Sequence, residues 1–159
     1  MLITRRLEFD AGHRIPDHRS LCRHMHGHRY VLEATVAGDV TLRDGDPRNG
    51  MVVDFSEVKS VLKDYVVGVW DHAFLVYEGD TVVREMLKAL PDHRTVVLPV
   101  VPTAENLAAE AFRILAPRIA ELCDKRLTLE SIRLYETPNC WADATRAQFE
   151  SPPGATIND

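Results

Sequence analysis

No two cysteines in this chain are spaced as a CxxC pair, and the three present, Cys22, Cys123 and Cys140, form no even framework. The first absence excludes the knuckles that close a structural zinc finger. The second excludes a disulfide scaffold and suits a reducing compartment. No apolar run approaches the roughly 18 residues of a membrane span, and Met1-Leu2-Ile3-Thr4-Arg5-Arg6 lacks the apolar stretch of a signal peptide. A soluble, cytoplasmic protein is expected. Basic residues are also in deficit, since 19 Lys and Arg against 24 Asp and Glu leave a net charge of −5. A general nucleic-acid binder needs a dominant basic field, so an anionic ligand here must be held by a local cluster of cations. No internal repeat is present.

What remains is a chain of 159 residues with 45% hydrophobic content. That is enough for one core, and one domain is expected over residues 1–150, followed by a mobile tail at 151–159 that has no periodicity. The first forty residues read as a hairpin with strands over about 2–11 and 29–38. In the second strand Tyr30, Leu32, Ala34 and Val36 lie on one face, the period of a half-buried strand. The long connection between these strands is unusual unless it carries function. Asp54 is placed to cap a helix whose third residue is Glu57, with Phe55, Val58, Val61, Leu62 and Tyr65 at helical spacing. Thr103 is placed to cap a second helix carrying Leu107, Ala111, Ile114 and Leu115, which Pro117 should kink or restart near Ala116. Cys123 falls near the end of this helical pattern and reads as a small core residue. Two further strands, over about 128–136 and 140–148, are joined by the turn-favouring Thr137-Pro138-Asn139. The order of elements suggests an α+β layer with the helices on one face of the sheet.

The chemistry concentrates between His13 and His28. A catalytic zinc takes three protein ligands and leaves a fourth position open, and His13, His26 and His28 fit that count. Residues i and i+2 of a strand share a face, so His26 and His28 converge if this run is β, with Gly27 admitting close backbone approach and His13 arriving from the neighbouring strand. Cys22 has two readings. It is a fourth ligand that seals a structural site, or, beside Arg23 and His24, a thiol activated as base or nucleophile. His18 and His24 are spare imidazoles.

Six motifs now fall in one order: Phe9-Asp10-Ala11-Gly12-His13, Cys22-Arg23-His24-Met25-His26-Gly27-His28, Val53-Asp54-Phe55, Trp70-Asp71-His72, Pro102-Thr103-Ala104-Glu105-Asn106 and Tyr135-Glu136-Thr137. Over about residues 3–150 the series resembles the 6-pyruvoyl-tetrahydropterin synthase and 6-carboxytetrahydropterin synthase family. The resemblance implies the tetrahydropterin-synthase T-fold, a four-stranded antiparallel sheet with two helices on one face that packs with its copies into a barrel. It also implies a homohexamer with active sites at subunit interfaces. By motif match, His13, His26 and His28 take the zinc positions, Cys22 that of the catalytic proton acceptor, Asp71 and His72 the Asp-His pair, and Glu136 the pterin anchor and member of the proton relay. Thr103 and Glu105 fall in the segment near the pterin.

Chemically, Cys22 and His72 would act as two acid/base groups, with Asp71 orienting His72. Glu136 would accept two hydrogen bonds from the pterin edge. Arg14, Arg19, Arg23 and His24 are candidates to hold phosphates. The chain departs from the family pattern in carrying Trp70 before the Asp-His pair, Val76 after it, and a longer stretch between Glu78 and Val101. The three residues between Cys22 and His26 are like the bacterial 6-carboxytetrahydropterin synthases of the queuosine pathway. The expected reaction converts 7,8-dihydroneopterin triphosphate to 6-carboxy-5,6,7,8-tetrahydropterin, acetaldehyde and triphosphate. Its rivals are 6-pyruvoyl-tetrahydropterin synthesis from the same substrate, a non-catalytic zinc-binding platform and a general zinc hydrolase.

Overall fold

The computed structural model describes residues 1–150; the tail expected to be mobile, 151–159, lies outside the described residues. Strand β1 (Leu2–His13) runs antiparallel to β2 (His26–Ala37), which pairs antiparallel with β5 (Thr128–Thr137), and β5 pairs with β6 (Cys140–Thr145). These are the four antiparallel strands expected. Two short strands extend the sheet at the β1 edge: β3 (Ala73–Tyr77) lies parallel to β1, and β4 (Thr95–Leu98) lies parallel to β3. The order across the six-stranded sheet is β4-β3-β1-β2-β5-β6.

Most of the helices pack on the main apolar face of this sheet, while the helix between β3 and β4 sets Val83 and Leu87 against Phe74 and Val76, which alternate with the core residues Ala73 and Leu75 and so face the other way. Helix α1 (Phe55–Leu62) starts where the Asp54 carboxylate accepts from the Ser56 N–H at 2.7 Å, and it buries Val58 and Leu62. The chain then widens through a π turn at Lys63–Val67 into a single turn, α2 (Gly68–Trp70), which buries Trp70. Helix α3 (Thr81–Lys88) is capped by Asp80 and connects β3 to β4. Helix α4 (Ala104–Glu121) is capped by the Thr103 hydroxyl and buries Leu107, Ala108, Ala111, Phe112, Leu115 and Ile119 against β5 and β6.

The restart given as one outcome at Pro117 does not occur, and α4 continues through it to Glu121. A helix-interior proline costs about 3 kcal/mol. Leu115 and Ile119 flank it and are fully buried; at roughly 1.5–3 kcal/mol for each buried side chain, together they offset a cost of that size. The strand expected to reach Gln148 ends instead at Thr145, where α5 (Arg146–Glu150) begins. The Gln148 side chain accepts from the Thr145 N–H at 2.7 Å, the returning half of a capping box, and Phe149 then stacks on Phe112 with ring centroids 4.5 Å apart. Cys123 sits half-buried beyond the end of α4 at φ +50°, packed against the core, and its sulfur accepts from Arg48 Nη1 at 3.5 Å.

Candidate active site

The site is built by strand periodicity. His26, His28 and Tyr30 alternate along β2 and therefore share one face, with ring centroids 5.0 Å apart for the first pair and 5.7 Å for the second. Across the ladder His13 pairs directly with His26, and their rings lie 4.5 Å apart. Gly12 pairs with Gly27 at the same level, so no side chain holds the two strands apart. One nitrogen from each of His13, His26 and His28 lies within 4.8 Å of the other two.

The main chain orients two of these rings. His13 Nδ1 lies 2.7 Å from the Pro102 carbonyl, and His26 Nδ1 lies 2.7 Å from the His24 carbonyl. A carbonyl only accepts, so both Nδ1 atoms carry the proton and both Nε2 lone pairs are free. Burial pushes the His13 imidazole down to about 4 despite the Pro102 bond, and the neighbouring His26 and His28 push the same way. Burial also lowers His28, against the pull of Glu136. Near neutral pH both rings are therefore uncharged, the form that ligates metal.

The Nε2 atoms of His13 and His28 are buried and have no hydrogen-bond partner among the described residues. Glu136 Oε1 approaches them to 3.6 and 3.9 Å. With its proton on Nδ1, His13 turns the bare lone pair of Nε2 toward the Glu136 carboxylate, two acceptors facing each other, a contact that a divalent cation would resolve. The donor set, three imidazoles and a nearby carboxylate, is of the kind that suits zinc. Beside Glu136 an open cleft of about 570 Å³ is lined by His28, Arg29, Tyr135, Thr137 and Pro138, with Arg6 and Glu8 on its far wall.

The remaining sequence candidates are placed as follows. Cys22 is half-buried on the 3-10 turn Leu21–Arg23, in the loop between β1 and β2. The Tyr30 phenol is raised chiefly by burial, and further by the nearby Glu136 carboxylate and Cys22 thiol. Both groups therefore fall within electrostatic reach of the Tyr30 hydroxyl. Asp71 uses one oxygen to accept from the Asp10 N–H at 3.0 Å and the other to hold His72 Nδ1 at 3.0 Å. His72 sits at φ +57°, an uncommon backbone region for a residue with a Cβ, and donates its own N–H to the Asp10 carbonyl. Its ring is 74% exposed, and among the described residues no hydrogen bond or ion pair joins it to the triad. Thr103 spends its hydroxyl on the α4 cap, and Glu105 is exposed in the first turn of that helix.

Arg14 is not free for a phosphate. Its guanidinium is bound by both oxygens of Asp80, at 2.5 and 2.7 Å. Arg19, Arg23 and His24 stay exposed in the loop. Three contributors carried no sequence signal as site residues: the Pro102 carbonyl, the Tyr30 hydroxyl and Asp80. Tyr30 was legible only as a core residue of β2, and Asp80 carried no reading at all.

A mixed sheet with its two main helices on one face and three imidazoles converging at the ends of its first two strands defines a protein of the pterin-synthase T-fold class. Residues 2–147 match the family model described as 6-pyruvoyl tetrahydropterin synthase, and the chain belongs to that family. It is 38% identical over 140 residues, 88% of this chain and 96% of the relative, to a Rickettsia bellii protein named 6-carboxy-5,6,7,8-tetrahydropterin synthase. A Haemophilus influenzae protein of the same name is 32% identical over 89% of this chain and 96% of its own. Among solved structures, an uncharacterised protein from Wolinella succinogenes superposes with a TM-score of 0.73 at 21% identity, covering 92% of this chain and 98% of its own. The Caenorhabditis elegans 6-pyruvoyl tetrahydropterin synthase gives 0.62 at 23% identity, covering 91% of this chain and 94% of its own. At these identities the structures speak to the fold alone.

Proposed function

We propose that the chain is a zinc-dependent 6-carboxy-5,6,7,8-tetrahydropterin synthase, a lyase that converts 7,8-dihydroneopterin triphosphate and one water to 6-carboxytetrahydropterin, acetaldehyde and triphosphate. The names of its relatives support the reaction. The observation that carries the metal is the convergence of one nitrogen from each of His13, His26 and His28 to within 4.8 Å, with the buried Nε2 lone pair of His13 facing a Glu136 oxygen at 3.6 Å.

His13, His26 and His28 would hold the zinc. When bound, zinc polarises oxygens on the substrate side chain and so favours removal of a neighbouring C–H proton. Cys22 is the base that takes this proton. His72, oriented by Asp71, is the second acid/base group and works from the exposed side. Glu136 accepts hydrogen bonds from the amino and ring N–H groups of the pterin, so a ring anchored there lies against the imidazoles. Arg19, Arg23 and His24 receive the triphosphate, while Thr103 and Glu105 border the pterin. The working form is a cytoplasmic homohexamer serving queuosine synthesis.

The test is incubation of zinc-loaded protein with 7,8-dihydroneopterin triphosphate and mass analysis of the products, for wild type and Cys22→Ala. Carboxytetrahydropterin with equimolar acetaldehyde, lost in the variant, is the expected result. Pyruvoyl-tetrahydropterin would replace the assigned product with that of its sister reaction, and untouched substrate would sink the enzymatic reading.

A further inference from the structure

The buried polar side chains among the described residues are His13 and Asp80, and Arg14 connects them. The Asp80 carboxylate is 3% exposed and stands at the N-terminus of α3, where it accepts from the Val83 N–H at 3.4 Å. It also grips Arg14 through Nε and Nη2. Arg14 follows directly on a metal-site histidine and is the first residue of the loop that carries Cys22. One residue later the Ile15 N–H donates to the Cys22 carbonyl at 2.8 Å, and the His18 N–H donates to the Ile15 carbonyl at 3.2 Å. An unbroken path therefore runs from Asp80 through the Arg14 fork and the adjoining peptide to the backbone of Cys22.

We propose that Asp80 is a positioning residue for Cys22: a carboxylate from the segment between β3 and β4 that locks the root of the Cys22 loop through Arg14. The inference rests on the reading of Cys22 as the base. Bidentate pairing fixes the plane of the guanidinium as well as its position, which a single ammonium contact does not. A carboxylate this deeply buried is very costly without its partner, so the folded chain holds Arg14 in one place. The same segment supports the rest of the site. Arg94 donates to the Gly68 carbonyl just before the Asp71-His72 turn, and the Pro102 carbonyl that orients His13 follows β4.

Two variants attack the pair from opposite sides. Asp80→Asn keeps an oxygen for the α3 cap but loses the charge and the fork. Arg14→Lys leaves Asp80 intact and offers one point of contact. In each, hydrogen exchange of the amides in residues 15–22 should rise by about tenfold or more while α4 is unchanged. Alkylation of Cys22 should accelerate relative to exposed Cys140 in the same sample. Turnover should fall about tenfold or more in kcat, with KM and zinc content near wild type.

Faster exchange confined to α3 with kcat preserved would reduce Asp80 to a helix cap and overturn the proposal. Exchange raised throughout the chain, or failure of both variants to fold, would assign the pair to general stability and overturn it equally. Exchange and alkylation need no turnover, so they test the tether even if the assigned reaction fails.

Discussion

Gly27→Ala is the smallest change that should dismantle the metal centre without touching a ligand. A Cβ built on Gly27 falls 2.8 Å from the Ala11 carbonyl oxygen and 3.4 Å from both the Ala11 carbonyl carbon and Gly12 Cα. All three atoms are backbone, so β1 and β2 must separate by about half an ångström to reach ordinary contact, whereas metal–ligand distances tolerate only about 0.2 Å. The flanking residues are His26 and His28, and Gly27 pairs with Gly12, next to His13. Overpacking costs about 1–3 kcal/mol, and the lower chain entropy of alanine returns only about 0.4–1 kcal/mol. Thermal unfolding of the metal-free variant should therefore fall by several degrees, and chelator competition should show zinc affinity weakened by about 10–100-fold. Gly12→Ala is the control. Its tightest contact is Phe74 Cδ2 at 2.8 Å, a side chain, while the nearest backbone atom, the His26 carbonyl oxygen, lies at 3.4 Å, so β1 and β2 need not separate. Wild-type zinc affinity in Gly27→Ala, or a larger loss in Gly12→Ala, would refute the close-approach argument.

Tyr30→Phe removes a buried hydroxyl that has no partner, so in urea unfolding the metal-free protein should gain about 1 kcal/mol; a loss of stability would show that the hydroxyl is satisfied. Leu115→Ala empties a fully buried position between α4 and the sheet and should cost about 2–5 kcal/mol, with unchanged stability counting against the core assignment. Asp80 is held below its ordinary value by the Arg14 hydrogen bonds. A depressed carboxylate stabilises the fold above its unfolded pKa and loses that contribution as pH falls through the folded one, so acid unfolding below about pH 4 should be shallower in Asp80→Asn than in wild type. Parallel curves would contradict the pairing.

Local signals were legible and long-range ones were not. The alternation of His26, His28 and Tyr30 placed two candidate ligands on one face, and Asp54 and Thr103 announced their helices, because each signal is complete within a few residues. The capping box Thr145-Arg146-Ala147-Gln148 was equally local but was read as a continuing strand. Ala73-Phe74-Leu75-Val76 is apolar without alternation, as suits a strand buried on both faces, and so gave no period to recognise. Pro117 shows packing overriding propensity. The Arg14–Asp80 pair spans 66 residues, and the bond from His13 to the Pro102 carbonyl spans 89, with a main-chain acceptor that any residue type supplies. Neither follows from spacing along the chain.

The central claim is that three imidazoles form a metal centre with an open fourth position and that Cys22 stays off the metal as the base. Absorption spectroscopy of the cobalt-substituted protein tests it most directly. The account predicts the visible bands of a four-coordinate nitrogen and oxygen site, unchanged in shape by Cys22→Ala. An intense sulfur-to-metal charge-transfer band that disappears in that variant would put Cys22 on the metal and make this a sealed structural site.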